Sequence, residues 1–249
     1  VAFGAGTQEY KTMARYRCID PEAGVIVKNQ ITSEAADQIQ YVRDGDLITD
    51  LGNLYEYGDT LGYNLTNAVR LRFLRIGNHE KPNAFINTRL TSIDLTTCVS
   101  LELVDVTSCT GFGKGDGQNG VYTLDLSKQT VLHEFYAENA TMTGVSFPET
   151  ETLETIKLGT EIKRLRLVNL PGLKNFSMQG GSNLEAITIR NVPVIDTYNM
   201  VYEAWAGGDN KLKEVHIENV AWTDVTKDFV NYLHSINATL TGTITIADS

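Results

Sequence analysis

The amino-acid sequence is dominated by a short repeating pattern of apolar residues. An apolar side chain recurs at the first, fourth and sixth positions of a segment, and copies of that segment follow one another along most of the chain. This pattern constrains the fold strongly, because each copy can bury its apolar side chains only against neighbouring copies. Clear copies are Leu101-Val104-Val106, Leu132-Phe135-Ala137, Leu153-Ile156-Leu158, Ile162-Leu165-Leu167 and Leu184-Ile187-Ile189.

The spacing of the copies indicates how many strands make one coil. Most consecutive copies are 9 to 11 residues apart, which is too short for a leucine-rich coil of roughly 20–29 residues. Alternate copies fit, since Phe135, Ile156 and Phe176 are separated by 21 and 20 residues. The residue between the last two apolar positions is usually polar, as Arg166 is, and so alternates with them as in a strand. We therefore predict a leucine-rich-repeat-like solenoid, mainly β, with two short parallel strands per coil of about 21 residues.

Departures from the repeat suggest how the chain is organised. Residues 1–66 follow the pattern poorly and are predicted to be a non-repeat N-terminal region and cap, with strands near 10–19 and 24–27 and an irregular first coil at 46–54. The solenoid is assigned to residues 67–222, and a C-terminal cap to residues 223–249. Two insertions interrupt the solenoid, at 111–120 and at 193–211. The first is so rich in glycine that we expect a flexible loop at one corner.

Two helices are expected near the C-terminus. Within the second insertion, Asp196 is a suitable N-cap, residues 198–206 would form the helix, and Gly207 with Gly208 would end it. A second helix, from residue 223 or 224 to about 236, presents one apolar face. Together with a strand it would form the C-terminal cap of the solenoid.

The overall charge argues against a polyanionic partner. The formal net charge is −10, from 31 acidic and 21 basic residues, whereas phosphate contacts need clustered Lys and Arg. The local basic cluster Lys163, Arg164 and Arg166 is interpreted as a solvated strand face. The sequence contains no apolar run of the roughly 20 residues that cross a bilayer. We expect neither nucleic-acid binding nor membrane insertion.

The cysteines are interpreted as structural. Cys18, Cys98 and Cys109 are an odd number and form no CxxC pair, so neither a disulfide framework nor a structural zinc site is expected. Cys98 and Cys109 occupy the same position of the repeat, three residues after its sixth. They are predicted to be small buried turn residues on opposite sheets, too far apart for a disulfide bond.

No catalytic motif stands out. The sequence lacks HExxH, GxSxG and P-loop motifs, and we expect no catalytic residue, no metal ligand and no cofactor. Asp94 and Asp125 occupy the same outward position of the repeat. If they stack on one sheet, their carboxylates repel each other or bind a cation weakly. The inserted loop between them leaves open whether they are adjacent. The outward positions supply the candidate interaction surface: Asp94, Asp105, Asp125, Tyr136, Lys157 and Arg166.

Several stretches also carry a family resemblance. They are residues 51–54, 74–78, 124–127, 136–145, 153–158, 184–193 and 212–217 together with Trp222. In these stretches the chain resembles leucine-rich-repeat virion or tail-associated structural proteins of tailed bacteriophages of gut bacteria. The resemblance implies assembly or attachment in a virion rather than catalysis.

The resemblance also suggests the partners. They would be other virion proteins or copies of the chain itself, with a host-surface protein or glycan as a further partner. Surface proteins of gut bacteria use similar repeats, so a cell-surface adhesin or interaction module is the alternative. A glycan-active enzyme is a third class, for which no pair of catalytic carboxylates presents itself.

Overall fold

The computed structural model describes residues 25–29, 39–42, 50–57, 60–65, 68–179, 183–193, 214–220 and 239–241. Within these ranges the chain is mainly β, with a single 3₁₀ turn at Leu54–Tyr57. The strands are β1 (Val25–Asn29), β2 (Ile39–Val42), β3 (Asp50–Asn53), β4 (Thr60–Asn64), β5 (Phe73–Arg75), β6 (Leu103–Asp105), β7 (Thr123–Asp125), β8 (Glu134–Ala137), β9 (Gly144–Ser146), β10 (Thr155–Leu158), β11 (Arg164–Val168), β12 (Asn175–Met178), β13 (Ala186–Val192), β14 (Glu214–Val220) and β15 (Thr239–Thr241).

Two six-stranded parallel sheets form a solenoid. Sheet I has the order β3-β5-β6-β8-β10-β12, and sheet II has the order β7-β9-β11-β13-β14-β15. Phe135, Ile156 and Phe176 pair in register on sheet I, and Leu165 pairs with Ile187 on sheet II. The predicted parallel solenoid is therefore confirmed, and among the described residues two short strands per coil occur from β6 to β13. Successive coils satisfy the backbone hydrogen bonds of their neighbours, which is how a stack of short strands becomes stable.

The apolar positions of the repeat build one core between the two sheets. Leu74, Val104 and Phe135 from sheet I and Leu124 and Leu165 from sheet II belong to a single cluster of buried residues. Each is at most 3% exposed. The alternating burial along β11, exposed at Arg164 and buried at the next residue, is the period of a strand with one face in the core.

The coils before β8 are longer than the repeat predicts. Leu74 pairs with Val104, 30 residues later, and Val104 pairs with Phe135, 31 residues later. Sheet II begins at β7 among the described residues, so the segment around Asp94 is not a strand, contrary to the repeat pattern. The hydroxyl of Tyr122 accepts a hydrogen bond from the backbone N–H of Ile93 (3.0 Å) and donates one to its carbonyl (2.9 Å). This side chain therefore satisfies backbone groups that a strand would otherwise pair.

The glycine-rich segment 111–120 contains neither strand nor helix. Its first part is packed rather than free, because Phe112 is 1% exposed and its ring stacks on that of Tyr122 at 4.8 Å. A Cβ atom at Gly111 would lie 2.7 Å from the carbonyl oxygens of Thr88 and Leu90. Glycine is thus required at the point where the insertion passes the preceding coil.

Asparagines form a ladder at the carboxyl ends of three strands of sheet II. Asn169, Asn191 and Asn219 adopt left-handed backbone conformations, with φ of 55°, 51° and 51°. The Nδ2 of Asn191 donates to Asn169 (2.5 Å), and the Nδ2 of Asn219 donates to Asn191 (2.7 Å). Asparagine tolerates this conformation better than other residues with a side chain, so one residue type serves both the turn and the ladder.

The predictions for the two ends of the chain are tested only in part by the structure. At the N-terminal end, β1, β2 and β4 form an antiparallel sheet, and β1 matches the strand expected near 24–27. Sheet I begins at Asp50, inside the region assigned to the cap, because β3 pairs with β5. The strand expected at 10–19 and the helices expected at 198–206 and 223–236 lie outside the described residues.

Candidate functional site

Three of the predicted surface residues come together on sheet I. Asp105, Tyr136 and Lys157 pair in register on the adjacent strands β6, β8 and β10. Parallel strands are about 4.8 Å apart, so these side chains form a row across the sheet. The repeat pattern correctly places them on one side of one sheet.

Two of the three residues in that row, Asp105 and Tyr136, are covered instead of exposed. The backbone N–H and the Nδ1 of His79 each lie 2.8 Å from Oδ2 of Asp105, and the N–H of Thr107 donates to Oδ1 (2.9 Å). The ring of His79 also stacks on Tyr136, with centroids 3.7 Å apart and planes 6° apart. Asp105 is consequently 2% and Tyr136 8% exposed. These two residues, expected on an open surface, anchor the segment after β5 to the sheet.

Tyr136 is further fixed by its neighbours. Its hydroxyl donates to Oε2 of Glu134 (2.7 Å), and Nζ of Lys157 lies 5.7 Å from its ring centroid. Burial raises the pKa of Tyr136, and the hydrogen bond to the Glu134 carboxylate raises it further. The phenol therefore stays neutral at physiological pH and serves as a donor within the sheet.

Several other charges along sheet I also find partners within the protein. Arg72 makes a bidentate contact with Glu102 (2.7 and 2.8 Å), which lowers the pKa of Glu102. Arg75 contacts Asp50 (2.9 Å). Lys174 contacts Glu154 at 2.8 Å. The outward side of sheet I is thus largely satisfied by its own cross-strand contacts.

Asp94 and Asp125 are both used by local turns. Oδ1 of Asp94 accepts from the N–H (2.9 Å) and the hydroxyl (2.6 Å) of Thr96, and Oδ1 of Asp125 accepts from the N–H of Ser127 (2.9 Å). These hydrogen bonds hold the pKa of each carboxyl below its usual range. The charge of Asp94 acts in the opposite direction on Asp125, as expected for neighbouring carboxylates. Among the residues that the structure describes, no group of His, Cys, Asp or Glu could hold a metal ion.

Arg166, the last of the predicted surface residues, lies on the outward side of sheet II. It is exposed on β11 and lines a cavity of about 270 Å³, here called the Arg166 groove. The groove crosses neighbouring coils, because Asp125 pairs with Ser146 on β7 and β9 while Arg164 pairs with Gly144 on β11 and β9. The residues lining it are Ser127, Ser146, Phe147, Glu149, Arg166 and Val168.

A second, smaller cavity lies beside β5, near the N-terminal end of sheet I. It has a volume of about 190 Å³ and an aromatic and aliphatic lining that includes Tyr55, Ile76 and Phe85. The rings of Tyr55 and Phe85 are 4.7 Å apart, and Ile86 at the cavity is 54% exposed. The repeat pattern does not predict this cavity, because most of its lining comes from the 3₁₀ turn and from residues 84–87, which lie outside the repeat.

The two described cysteines behave as predicted. Cys98 and Cys109 are buried and not joined to each other, and burial raises the pKa of the Cys98 thiol to about 11. Gln129 occupies the equivalent position in a later copy and was not singled out by sequence. It is fully buried, and its Nε2 donates to the carbonyls of Leu95 (2.8 Å) and Cys98 (3.4 Å). Gln129 thereby ties its own turn to the turn that contains Cys98.

Protein-family models, curated proteins and solved structures yield no match for this chain. Within the described ranges, the structure contains no helix that is long and apolar enough to cross a membrane. The case for a function therefore depends on the geometry of the solenoid and on the resemblance noted in the sequence.

Proposed function

We propose that the chain is a leucine-rich-repeat-like structural protein of a phage virion, associated with the tail, the baseplate or a fibre. In this role the solenoid is a rigid surface for subunit assembly or host attachment. Its partners would be other virion proteins or further copies of the chain, and a host-surface protein or glycan. Catalysis is not part of the proposal.

One observation supports a scaffold most directly: the side chains between coils are used to hold the coils in place. On sheet I, Asp105 accepts hydrogen bonds from His79 while Arg72 pairs with Glu102, 30 residues away. At the carboxyl ends of β11, β13 and β14, the asparagine ladder links three coils. Such cross-links favour a surface with fixed spacing over a mobile cleft, which suits repeated contacts in an assembly.

The leucine-rich character of the proposal is supported by a turn that recurs after the repeat. The N–H of Cys98 donates to the carbonyl of Leu95 (2.9 Å), and the N–H of Cys109 donates to that of Val106 (3.1 Å). Gln129 makes the same contact with Leu126 (3.1 Å). A small or amide side chain that is buried three residues after the last apolar position is typical of leucine-rich coils.

Mass spectrometry of purified phage particles tests the virion assignment. The chain should be recovered in particles at a fixed ratio to the major tail protein and should survive density-gradient purification. Absence from particles, with the chain found in the cell envelope instead, would favour the alternative role of a bacterial surface adhesin. Portal, capsid and tail genes beside the coding gene would support the virion, whereas an export or lipoprotein signal on the full-length product would contradict it.

A further inference from the structure

The outward sides of the two sheets differ in how their cations are used. On sheet I, Arg72, Arg75 and Lys174 each contact a carboxylate. On sheet II, Arg164 and Arg166 are exposed two residues apart on β11, and neither contacts an acidic or hydrogen-bonding partner within the described part of the chain. Arginine side chains aligned on one strand face without internal partners are available to an external anion.

The Arg166 groove adds several other recognition groups beside the guanidinium. Phe147 is half-buried, and its ring packs edge-on against Phe135 with centroids 5.4 Å apart, so its orientation is fixed by the core. The carboxylate of Glu149 is exposed and accepts a hydrogen bond from Nδ2 of Asn169 (2.6 Å), the first residue of the asparagine ladder. Ser127 and Ser146 contribute hydroxyl groups. The groove therefore combines a rigid aromatic ring, neutral hydroxyls and one charge of each sign.

A further arginine lies beside the groove, and one of its nitrogen atoms has no partner in the described part of the chain. Arg190 pairs with the groove residue Val168 across β11 and β13. Its Nε is buried and has no hydrogen-bond partner among the described residues. A buried donor without a partner is costly, so the side chain of Arg190 is not fully satisfied by its own sheet.

We propose that the Arg166 groove binds an acidic sugar residue of the uronic-acid type within a polysaccharide. Arg166 would hold the sugar carboxylate through its planar pair of N–H donors. Ser127, Ser146 and Glu149 would hydrogen-bond the ring hydroxyls, and the apolar face of the sugar would pack on Phe147. This inference rests on the proposed attachment role and names its ligand class.

The size and charge of the groove favour this ligand over other anions. A cavity of about 270 Å³ is near the lower end of small-molecule sites, which suits one sugar ring. Asp125 and Glu149 flank the arginines, and the net charge of the chain is −10, so a continuous phosphate backbone would be repelled. A uronic acid carries a single charge on a ring of hydroxyls, which matches one arginine among neutral and acidic neighbours.

Isothermal titration of the full chain with trigalacturonate tests the proposal, with maltotriose as the neutral ligand of equal length. We expect saturable millimolar binding of the acidic trimer and at least tenfold weaker binding of maltotriose. Arg166→Ala should weaken binding at least tenfold, because it removes a charged bidentate contact. Ser127→Trp should also abolish binding by filling the groove while leaving Arg166 in place. Arg72→Ala removes the same charge from the sheet I side and should leave binding unchanged.

Several results would overturn the proposal. These are no binding of trigalacturonate, equal binding of maltotriose, or wild-type affinity in Ser127→Trp. Inorganic sulfate or poly-glutamate that binds as tightly as trigalacturonate and depends equally on Arg166 would reduce the groove to a general anion surface. The altered side chains are exposed, and circular dichroism checks that each variant is folded. A negative titration would leave the virion assignment standing, because recovery of the chain from particles is measured independently.

Discussion

A glycine at which two coils approach closely gives a quantitative test of the stacking. A Cβ atom built at Gly172 would lie 1.9 Å from the carbonyl oxygen of Glu151 in the preceding coil. Real Cβ atoms essentially never come within 3.0 Å of another heavy atom, so Gly172→Ala must push the two coils apart by more than 1 Å at that corner. Both contacting groups are backbone or fixed to it, and no side chain can move aside. Overpacking of this kind costs about 3 kcal/mol.

Urea unfolding followed by far-ultraviolet circular dichroism measures this cost. With a slope of roughly 3 kcal/mol/M, the midpoint of Gly172→Ala should fall by about 1 M. Gly117→Ala is the matched control, because Gly117 has a φ of +79° but nothing within 4 Å of its Cβ position. Its cost should be only the conformational term of about 1–2 kcal/mol. The proposed coil contact would be refuted if Gly172→Ala were no less stable than Gly117→Ala.

Three further predictions follow from individual side chains. Leu165→Asp buries a carboxylate without a partner and should lower the free energy of unfolding by more than about 4 kcal/mol. Arg166→Asp on the same strand should change it by about 0.5 kcal/mol or less. Equal stabilities of the two variants in urea would contradict the register of β11. Asp105→Ala leaves the donors of His79 unpaired and should cost about 3 kcal/mol and speed proteolysis after β5; an unchanged cleavage rate would exclude the anchoring role. Peptide-resolved iodoacetamide labelling at pH 8 should modify Cys98 only after unfolding. A thiol with a pKa of about 11 is almost fully protonated at that pH. Rapid labelling of the native chain would show that the turn containing Cys98 is open.

The register of the sheets could be predicted from sequence because burial alternates with a strict period. The spacing of Phe135, Ile156 and Phe176 required two strands per coil, and these residues do pair across adjacent strands. A shift by one residue would turn every apolar side chain to solvent. The pattern failed around Asp94, where it predicts a strand. There the backbone is satisfied by the hydroxyl of Tyr122, a contact 29 residues away in sequence that no local pattern encodes.

The candidate site was less predictable because it depends on long-range contacts. The positions of Asp105 and Tyr136 followed from strand alternation, but their burial depends on His79, which lies in a segment without repeat character. The lining of the Arg166 groove comes from three neighbouring coils, so no single repeat copy predicts it. The asparagine ladder did leave a sequence signal: Asn169 and Asn191 each follow the outward residue of their strand by three positions.

The central claim is that the outward side of sheet II, and not that of sheet I, is the contact surface for an acidic glycan. Nuclear magnetic resonance of the isotope-labelled full chain titrated with trigalacturonate tests it most directly. The largest chemical-shift changes should fall on Ser127, Ser146, Phe147 and the side chain of Arg166. Changes centred on Tyr136 and the rest of sheet I, or no saturable change on either sheet, would contradict the account.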